Sequence, residues 1–379
     1  MRVQILVTHL LGSGHLSRAL TVARAFAGAG HETQVVSGGM PAPHLDTTGT
    51  DLVQLPPVRS DGINFTTLLN ARGEIADSDT LATRRATLAH ALTAFKPGVL
   101  ITELYPFGRR VLREEFQSAL TRAAELDPRP LILSSVRDIL SPPSTTAKAD
   151  ATHEVLERFY DGVLVHSDAG VMPLEASWPV TPGLNTRLHY TGFVTGARRP
   201  GRHTNPSGEI IISTGGSAAA DRLFSTVLTT AERMPAHLFR LLVAGDRSED
   251  RMVDLRRSAA RNVIVEPARQ DFTALLSGAA ASVSLCGYNT ALDVLQTGVP
   301  AVFVPFDAGG ETEQTLRATT LARQSNIRTL KDAEMTGDTL AKALQDVIAA
   351  PARPLPAENT FDGARETVRL CEKLRSEKT

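Results

Sequence analysis

Residues 282–322, SVSLCGYNTALDVLQTGVPAVFVPFDAGGETEQTLRATTLA, switch hydrophobic period three times, and that alternation constrains the fold more than any other stretch. SVSLC is a short apolar run of small and β-branched residues bounded by Gly287, the pattern of a buried strand. Ala291, Leu292, Val294 and Leu295 then fall at helical spacing, with Asn289 or Thr290 as the expected N-cap. Gly298 closes that helix and Pro300 opens AVFVPF, a second buried strand. Residues 311–323 return to helical spacing. Strand, helix, strand, helix with strands apolar on both faces is the unit of a parallel, doubly wound α/β sheet.

The same rhythm runs through the chain twice. Residues 3–8 form a first strand, Gly12-Ser13-Gly14-His15 a glycine turn, residues 16–29 a helix closed by Gly30, and residues 33–37 a second strand. Further strands are expected at 51–55, at 99–102 ending on Glu103, at 131–135 ending on Arg137-Asp138, at 162–165 ending on His166, and at 188–193. Residues 196–208, GARRPGRHTNPSG, have no apolar period and read as an interdomain linker. Residues 209–213 restart the pattern, followed by a second glycine turn, Thr214-Gly215-Gly216-Ser217, and a helix over 218–233. Strands then recur at 240–244, 262–265, 282–285 and 301–304. The expected organisation is a first Rossmann-like domain over 1–195, the linker, a second over 209–350, and a tail over 351–379 ending in an amphipathic helix.

In such sheets ligands bind at the carboxyl ends of the strands, and polar residues gather there. Gly287 and Thr290 lie at a helix N-terminus, whose N–H groups and dipole favour a phosphate. Gly215, Gly216 and Ser217 offer a second such turn. Asp293, one turn into its helix, could accept hydrogen bonds from a ribose diol, and Glu313 and Gln314 could bracket the hydroxyls of a sugar. The first glycine turn lacks the third glycine of a dinucleotide fingerprint, since Ser17 and Arg18 stand there. His15 is a candidate base near neutral pH, and Glu103, at the end of a buried strand, is its rival. The plain alternatives are a loop-packing histidine, and a salt bridge from Glu103 to Arg109 or Arg110. Arg137 and Asp138 either position a ligand or pair with each other.

Gly287, Thr290, Asp293, Gly298-x-Pro300, Pro305 and Gln314, in this order and spacing, resemble the donor-binding signature of GT-B fold glycosyltransferases. The nearest likeness is to glycosyltransferase family 28, the group that includes the lipid-II-forming N-acetylglucosaminyltransferase. Two positions depart from it: the ribose acid is Asp rather than Glu, and Glu313-Gln314 replaces a Gln-Gln pair after a loop about two residues longer. The resemblance implies two Rossmann-like domains facing across a cleft, with the tail helix crossing back to the first. It implies sugar transfer from a nucleotide-diphosphate sugar, UDP-sugar favoured, to an acceptor hydroxyl, with inversion. Gly215, Gly216, Ser217, Gly287 and Thr290 would hold the diphosphate. Asp293 would hold the ribose, and Glu313 with Gln314 would read the sugar. The nucleotide base would lie near residues 268–272, with Arg269 and Phe272 as contacts. Gly12, Gly14, Arg18, Arg137 and Asp138 would lie on the acceptor side, the acceptor being a glycolipid or polyprenyl-linked molecule. A nucleotide-sugar 2-epimerase or a non-catalytic nucleotide- or glycan-binding protein on the same fold are the alternatives.

Composition narrows the field. A net charge of −1 leaves no basic excess for a nucleic-acid backbone. Two cysteines, Cys286 and Cys371, make neither a disulfide framework nor a metal cluster. No P-loop, H-E-x-x-H, EF-hand loop or G-x-S-x-G elbow is present. Nor is there a D-x-D pair of the kind a metal-dependent sugar transferase sets beside the diphosphate, so no metal or other cofactor is expected. The short N-terminal apolar run reads as a strand rather than a signal peptide, and the expected location is cytoplasmic. Asn64-Phe65-Thr66 is then a chance sequon. Phe107, Arg109, Arg110, Val111, Leu112 and Arg113 mix basic and apolar residues that could rest on anionic lipid, or form an ordinary solvated helix face.

Overall fold

The computed structural model describes residues 1–61, 66–195, 208–214, 220–245, 248–306 and 312–378. The linker expected over 196–208, all but its last residue, and Asn64 therefore lie outside the described residues. The chain divides into two compact units, Met1–Gly196 with Glu358–Thr379, and Ala197–Ala357.

In the first unit the order is β1 (Arg2–Val7), α1 (Gly14–Gly28), β2 (Glu32–Ser37), β3 (Asp51–Gln54), α2 (Ser78–Phe95), β4 (Val99–Glu103), α3 (Arg113–Ala124), β5 (Leu131–Arg137), α4 (Thr146–Phe159), β6 (Gly162–His166), α5 (Pro182–Asn185) and β7 (Leu188–Tyr190). All strands pair in parallel in the order β3-β2-β1-β4-β5-β6-β7. The period of two along each strand serves both faces. Val3, Ile5 and Val7 join the core under α1, while Leu6, Leu100 and Ile132 join the core under the helices of the opposite face. Each such side chain contributes roughly 1.5–3 kcal/mol by leaving water. The last strand stops three residues short of the expected 193 because Gly192 turns at φ 78°.

The second unit runs β8 (Ile210–Ser213), α6 (Ala220–Arg233), β9 (Phe239–Val243), α7 (Ser248–Ser258), β10 (Val263–Pro267), α8 (Phe272–Ser277), β11 (Ala281–Ser284), α9 (Tyr288–Thr297), β12 (Ala301–Phe303), α10 (Glu313–Leu321), β13 (Ile327–Thr329) and α11 (Gly337–Ala349). Its parallel sheet has the order β10-β9-β8-β11-β12-β13. The N-cap of α9 is Gly287, in extended conformation with no side-chain cap, rather than Asn289 or Thr290. Those two residues lie inside the first turn instead.

The final helix, α12 (Gly363–Lys378), packs on α1 in the first unit. Gly363 is needed at its start, since a Cβ there would stand 2.4 Å from the Gly192 carbonyl oxygen. Glu372 Oε1 meets His31 Nε2 at 2.9 Å, and Lys378 Nζ donates to Asp161 Oδ2 at 2.7 Å. Among the described residues no helix is long and apolar enough to cross a membrane. In the basic-apolar segment after β4, Arg110 and Arg113 are exposed and Val111 is half-buried. Phe107 and Leu112 are buried, Phe107 edge-on against Trp178 at 5.0 Å, because this segment closes the core beneath α3 and α4.

Candidate functional site

In both sheets the winding reverses between two adjacent central strands, β1 and β4 in the first unit, β8 and β11 in the second. Crevices for ligands form at the carboxyl ends of such a pair.

At the first reversal, the loop after β1 turns through Gly12 at φ 61° into α1. His15 and Arg18 lie in the first turns of α1, three residues apart and therefore on one face. Glu103 ends β4 and is 2% exposed. His15 Nδ1 lies 2.9 Å from Glu103 Oε1, and Arg18 donates to the same oxygen while standing 3.1 Å from His15 Nδ1. Glu103 Oε2 accepts from Ser135 Oγ at 2.6 Å. Ser135 Oγ in turn meets His166 Nε2 at 3.0 Å, and His166 Nδ1 meets Thr191 Oγ1 at 2.8 Å. The salt-bridge alternative for Glu103 needs correction, since its cation partner is Arg18 and neither Arg109 nor Arg110. Ser135, Thr191 and the link through His166 went unread in the sequence. The signal was that β5 and β6 also end in polar residues.

Burial alone would raise the Glu103 carboxyl. Arg18 and the bonds from His15 and Ser135 outweigh it and hold the group well below the usual carboxylate range. Burial, with the charges of Arg18 and Arg109, pushes His15 down to about 4 against the raising bond to Glu103. Burial and Arg18 push His166 down to about 3. The stability consequence has one sign. Below the ordinary histidine pKa of about 6.5 the unfolded chain takes up protons that native His15 and His166 refuse, so acid favours unfolding. Glu103 acts the same way, its native anion losing its advantage as pH falls below the ordinary carboxylate value. The urea midpoint should therefore fall between about pH 7 and about pH 5, and fall less in His166→Gln, which cannot charge.

Arg137 ends β5, and Asp138 beyond it is 1% exposed. Gly14 is the first residue of α1, and a Cβ added there would meet nothing within 4 Å.

At the second reversal, Thr214 follows β8 and is buried. Gly215, Gly216 and Ser217 lie outside the described residues. The N-cap of α9, Gly287, has no side chain with which to cap the first N–H groups of the helix. Thr290 lies in that turn. A Cβ on Gly287 would enter open space, with nothing within 4 Å. Asp293 is half-buried one turn further on and accepts from Thr273 Oγ1 of α8 at 2.8 Å. That bond sets Phe272, the first residue of α8, next in chain to Asp293's partner. Arg269 makes a two-pronged bond to Asp271, at 2.8 and 2.7 Å. Glu313 opens α10 and pairs at 2.9 Å with Arg317, a fully buried arginine that also donates to the Cys286 carbonyl oxygen at 2.9 Å. Gln314 Oε1 accepts from Phe306 N at 3.3 Å. Arg317 thus ties the end of β11 to the start of α10, a role its residue type did not announce.

Among the described residues no group of three or more His, Cys, Asp or Glu side chains is placed to hold a metal. Asp77-Ser78-Asp79 is in fact a D-x-D triplet, which corrects the sequence reading. It starts α2, where Asp77 Oδ1 accepts from Thr80 N at 2.7 Å as an N-cap.

Two Rossmann-like α/β units with parallel sheets define the GT-B fold, and solved structures agree over nearly the whole chain. MurG of Acinetobacter baumannii superposes with a TM-score of 0.64 at 16% identity, covering 99% of this chain and 100% of its own. The glycosyltransferase VinC, solved with dTDP, gives 0.64 at 17% over 100% of both chains. Residues 210–371 match the model of the glycosyltransferase family 28 C-terminal domain. A curated relative from Phenylobacterium zucineum is a UDP-N-acetylglucosamine–N-acetylmuramyl-(pentapeptide) pyrophosphoryl-undecaprenol N-acetylglucosamine transferase. It is 27% identical over 39% of this chain and 42% of its own. The transferase of the same name from Geotalea daltonii is 22% identical over 69% and 72%. The matched stretch covers about two fifths of the first of these relatives. The chain is thus a GT-B fold protein, related through its second half to glycosyltransferase family 28.

Proposed function

We propose that the protein transfers a sugar from a nucleotide-diphosphate sugar, UDP-sugar favoured, to an acceptor hydroxyl with inversion. The observation that carries this is the uncapped N-terminus of α9. It stands at the reversal of the sheet in the part of the chain that matches the family model, with Gly287, Thr290 and Asp293 upon it. The first-turn N–H groups and dipole of α9 suit a diphosphate both in the ground state and as charge grows during departure. On the family likeness we assign Gly215, Gly216 and Ser217, outside the described residues, to the diphosphate as well. Asp293 receives the ribose hydroxyls. Glu313, held by Arg317, reads the sugar with Gln314. Phe272 and Arg269 border the nucleotide base.

On the acceptor side His15 is the base. With a proton on Nδ1 shared with Glu103, Nε2 carries the lone pair. The acceptor oxygen bonds to the anomeric carbon, its proton passes to Nε2, and the bond from that carbon to the diphosphate breaks with its electron pair on the departing phosphate oxygen. Glu103 is a positioning residue, since both its oxygens are already engaged. Gly12, Gly14, Arg18, Arg137 and Asp138 border the acceptor. The relatives' names include a polyprenol-linked acceptor, and on that likeness the acceptor belongs to glycolipid or other cell-envelope glycan synthesis. The chain acts in the cytoplasm, at most in peripheral contact with the membrane.

A thermal-shift screen of nucleotide-diphosphate sugars, followed by transfer assays on the hit, tests this reading. Gly287→Ala fills open space and should leave the melting temperature unchanged while weakening the donor. Asp293→Ala should weaken it by roughly tenfold to a hundredfold, as expected for a charged hydrogen bond. Conversion of the donor sugar with no acceptor present would instead indicate an epimerase.

A further inference from the structure

Arg109 has no role in the scheme above, and its placement is unusual. It sits at φ 62°, in the left-handed region uncommon for residues other than glycine, and Leu104 at the other end of the same turn sits at φ 67°. Side chains held in such backbone cost of order 1–3 kcal/mol and persist where the surroundings impose them, often at functional sites. The turn is also tight, since a Cβ on Gly108 would stand 2.9 Å from the Leu104 side chain.

This backbone delivers a half-buried guanidinium to the carboxyl ends of β1 and β4. Its Nε donates to the carbonyl of Thr8, just beyond β1. Its terminal nitrogens make no bond to another described residue, and no described carboxylate pairs with it. The nearby acid is Glu103, and Glu103 is bonded to Arg18, His15 and Ser135. The charged and titratable groups that feel Arg109 are His9, His15, Arg18 and Glu103. Burial lowers both histidines, and burial pushes the Arg109 guanidinium itself down to about 10 against the pull of Glu103. Among the described residues Arg109 has no carboxylate of its own, since the Glu103 oxygens are taken by Arg18, His15 and Ser135. A charge set partly out of water without a partner is costly. Arginine's planar fork suits a carboxylate or phosphate in two-pronged contact.

We infer that Arg109 receives an anionic group, a phosphate or a carboxylate, carried by the acceptor close to the hydroxyl that His15 deprotonates. This rests on the reading that the acceptor enters at this end of the first unit. The anion pairs with the Arg109 guanidinium and fixes the acceptor's orientation. It also shields His15 from Arg109, which makes the imidazole a better base once the acceptor is bound.

The test needs no turnover. The full-length protein, labelled at its histidine rings, is titrated with inorganic phosphate and separately with acetate at constant ionic strength, and the His15 ring signals are followed by NMR. The wild type should show a saturable shift of His15 with at least one salt. Arg109→Gln should weaken that binding by on the order of tenfold to a hundredfold, with Arg109→Lys intermediate. A stronger response to phosphate indicates a phosphorylated acceptor, and a stronger response to acetate an acidic one. Unchanged His15 signals in the salt-free Arg109→Lys variant verify that the centre keeps its structure. Equal affinity in wild type and both variants, or a His15 ring that neither salt moves, overturns the inference. Binding here without any sugar transfer would refute the proposed function and leave the anion site standing. Transfer without binding would do the reverse.

Discussion

His15→Ala is expected to lower transfer by roughly 10²–10⁴-fold while leaving donor affinity unchanged. The two sides of that expectation come from different units. His15 lies on α1, and the proposed donor residues lie on α9 and α10. The choice of His15 over Glu103 follows from occupancy. Glu103 is surrounded by donors on both oxygens and held as an anion well below the usual range, so it is a poor proton acceptor. His15 retains Nε2, which makes no bond to a described residue. Glu103→Gln keeps the shape and removes the charge that steadies the ring and balances Arg18. It should reduce kcat substantially, with little change in donor affinity. Because burial and two cations push His15 down to about 4, the active neutral ring persists into acid. The acid limb of kcat/KM should therefore fall near pH 4, about two units below that of an ordinary histidine. Full turnover in His15→Ala, with Glu103→Gln inactive, would transfer the role of base to Glu103.

Loss of the Arg84–Glu115 pair should be the most damaging single change to stability. Arg84 of α2 is fully buried and grips Glu115 of α3 with two parallel bonds, Nε to Oε2 and Nη2 to Oε1, each 2.8 Å. Its remaining nitrogen donates to the Gly38 carbonyl oxygen at 2.8 Å and to the Pro56 carbonyl. Glu115→Ala would strand a guanidinium among apolar side chains, at about 3–5 kcal/mol. Removing both charges with Arg84→Leu and Glu115→Leu should cost less than the sum of the single changes, because no orphan charge remains. The exposed pair Lys342–Asp346 gives the contrast, and its loss should cost under about 1 kcal/mol. Urea denaturation of the variants measures all of these. The pair also bears on the site. A Cβ on Gly38 would stand 2.3 Å from Thr8 Oγ1 and 2.5 Å from Arg84, and Thr8 holds Arg109. Glu115→Ala should therefore weaken anion binding as well as the fold.

Where the apolar period alone determines structure, the sequence was readable. The strands of 282–285 and 301–304 and the helix between them differ from β11, β12 and α9 by a residue or so at their ends. The N-cap of α9 was misplaced because an extended glycine opens the helix with no side-chain bond, so residue type carried no mark of it. The buried arginines were illegible for a related reason. Arg18 was assigned to the acceptor side and Arg84 and Arg317 carried no mark in the sequence, and only partners up to 85 positions away show why each is inside. The Ser135–His166 link is of the same kind, formed by two strand ends that the sheet order makes neighbours. Glu103 was singled out by position, yet its partner was misread, since nearness in sequence favoured Arg109 and Arg110 over a residue on α1.

The proposed donor site requires a diphosphate against the start of α9. A crystal structure of the protein grown with UDP tests it most directly. Phosphate oxygens within hydrogen-bonding distance of the backbone at 287–290, with the ribose on Asp293, are the predicted result. UDP bound away from α9, or with its phosphates turned from that helix, would rule out the proposed donor site.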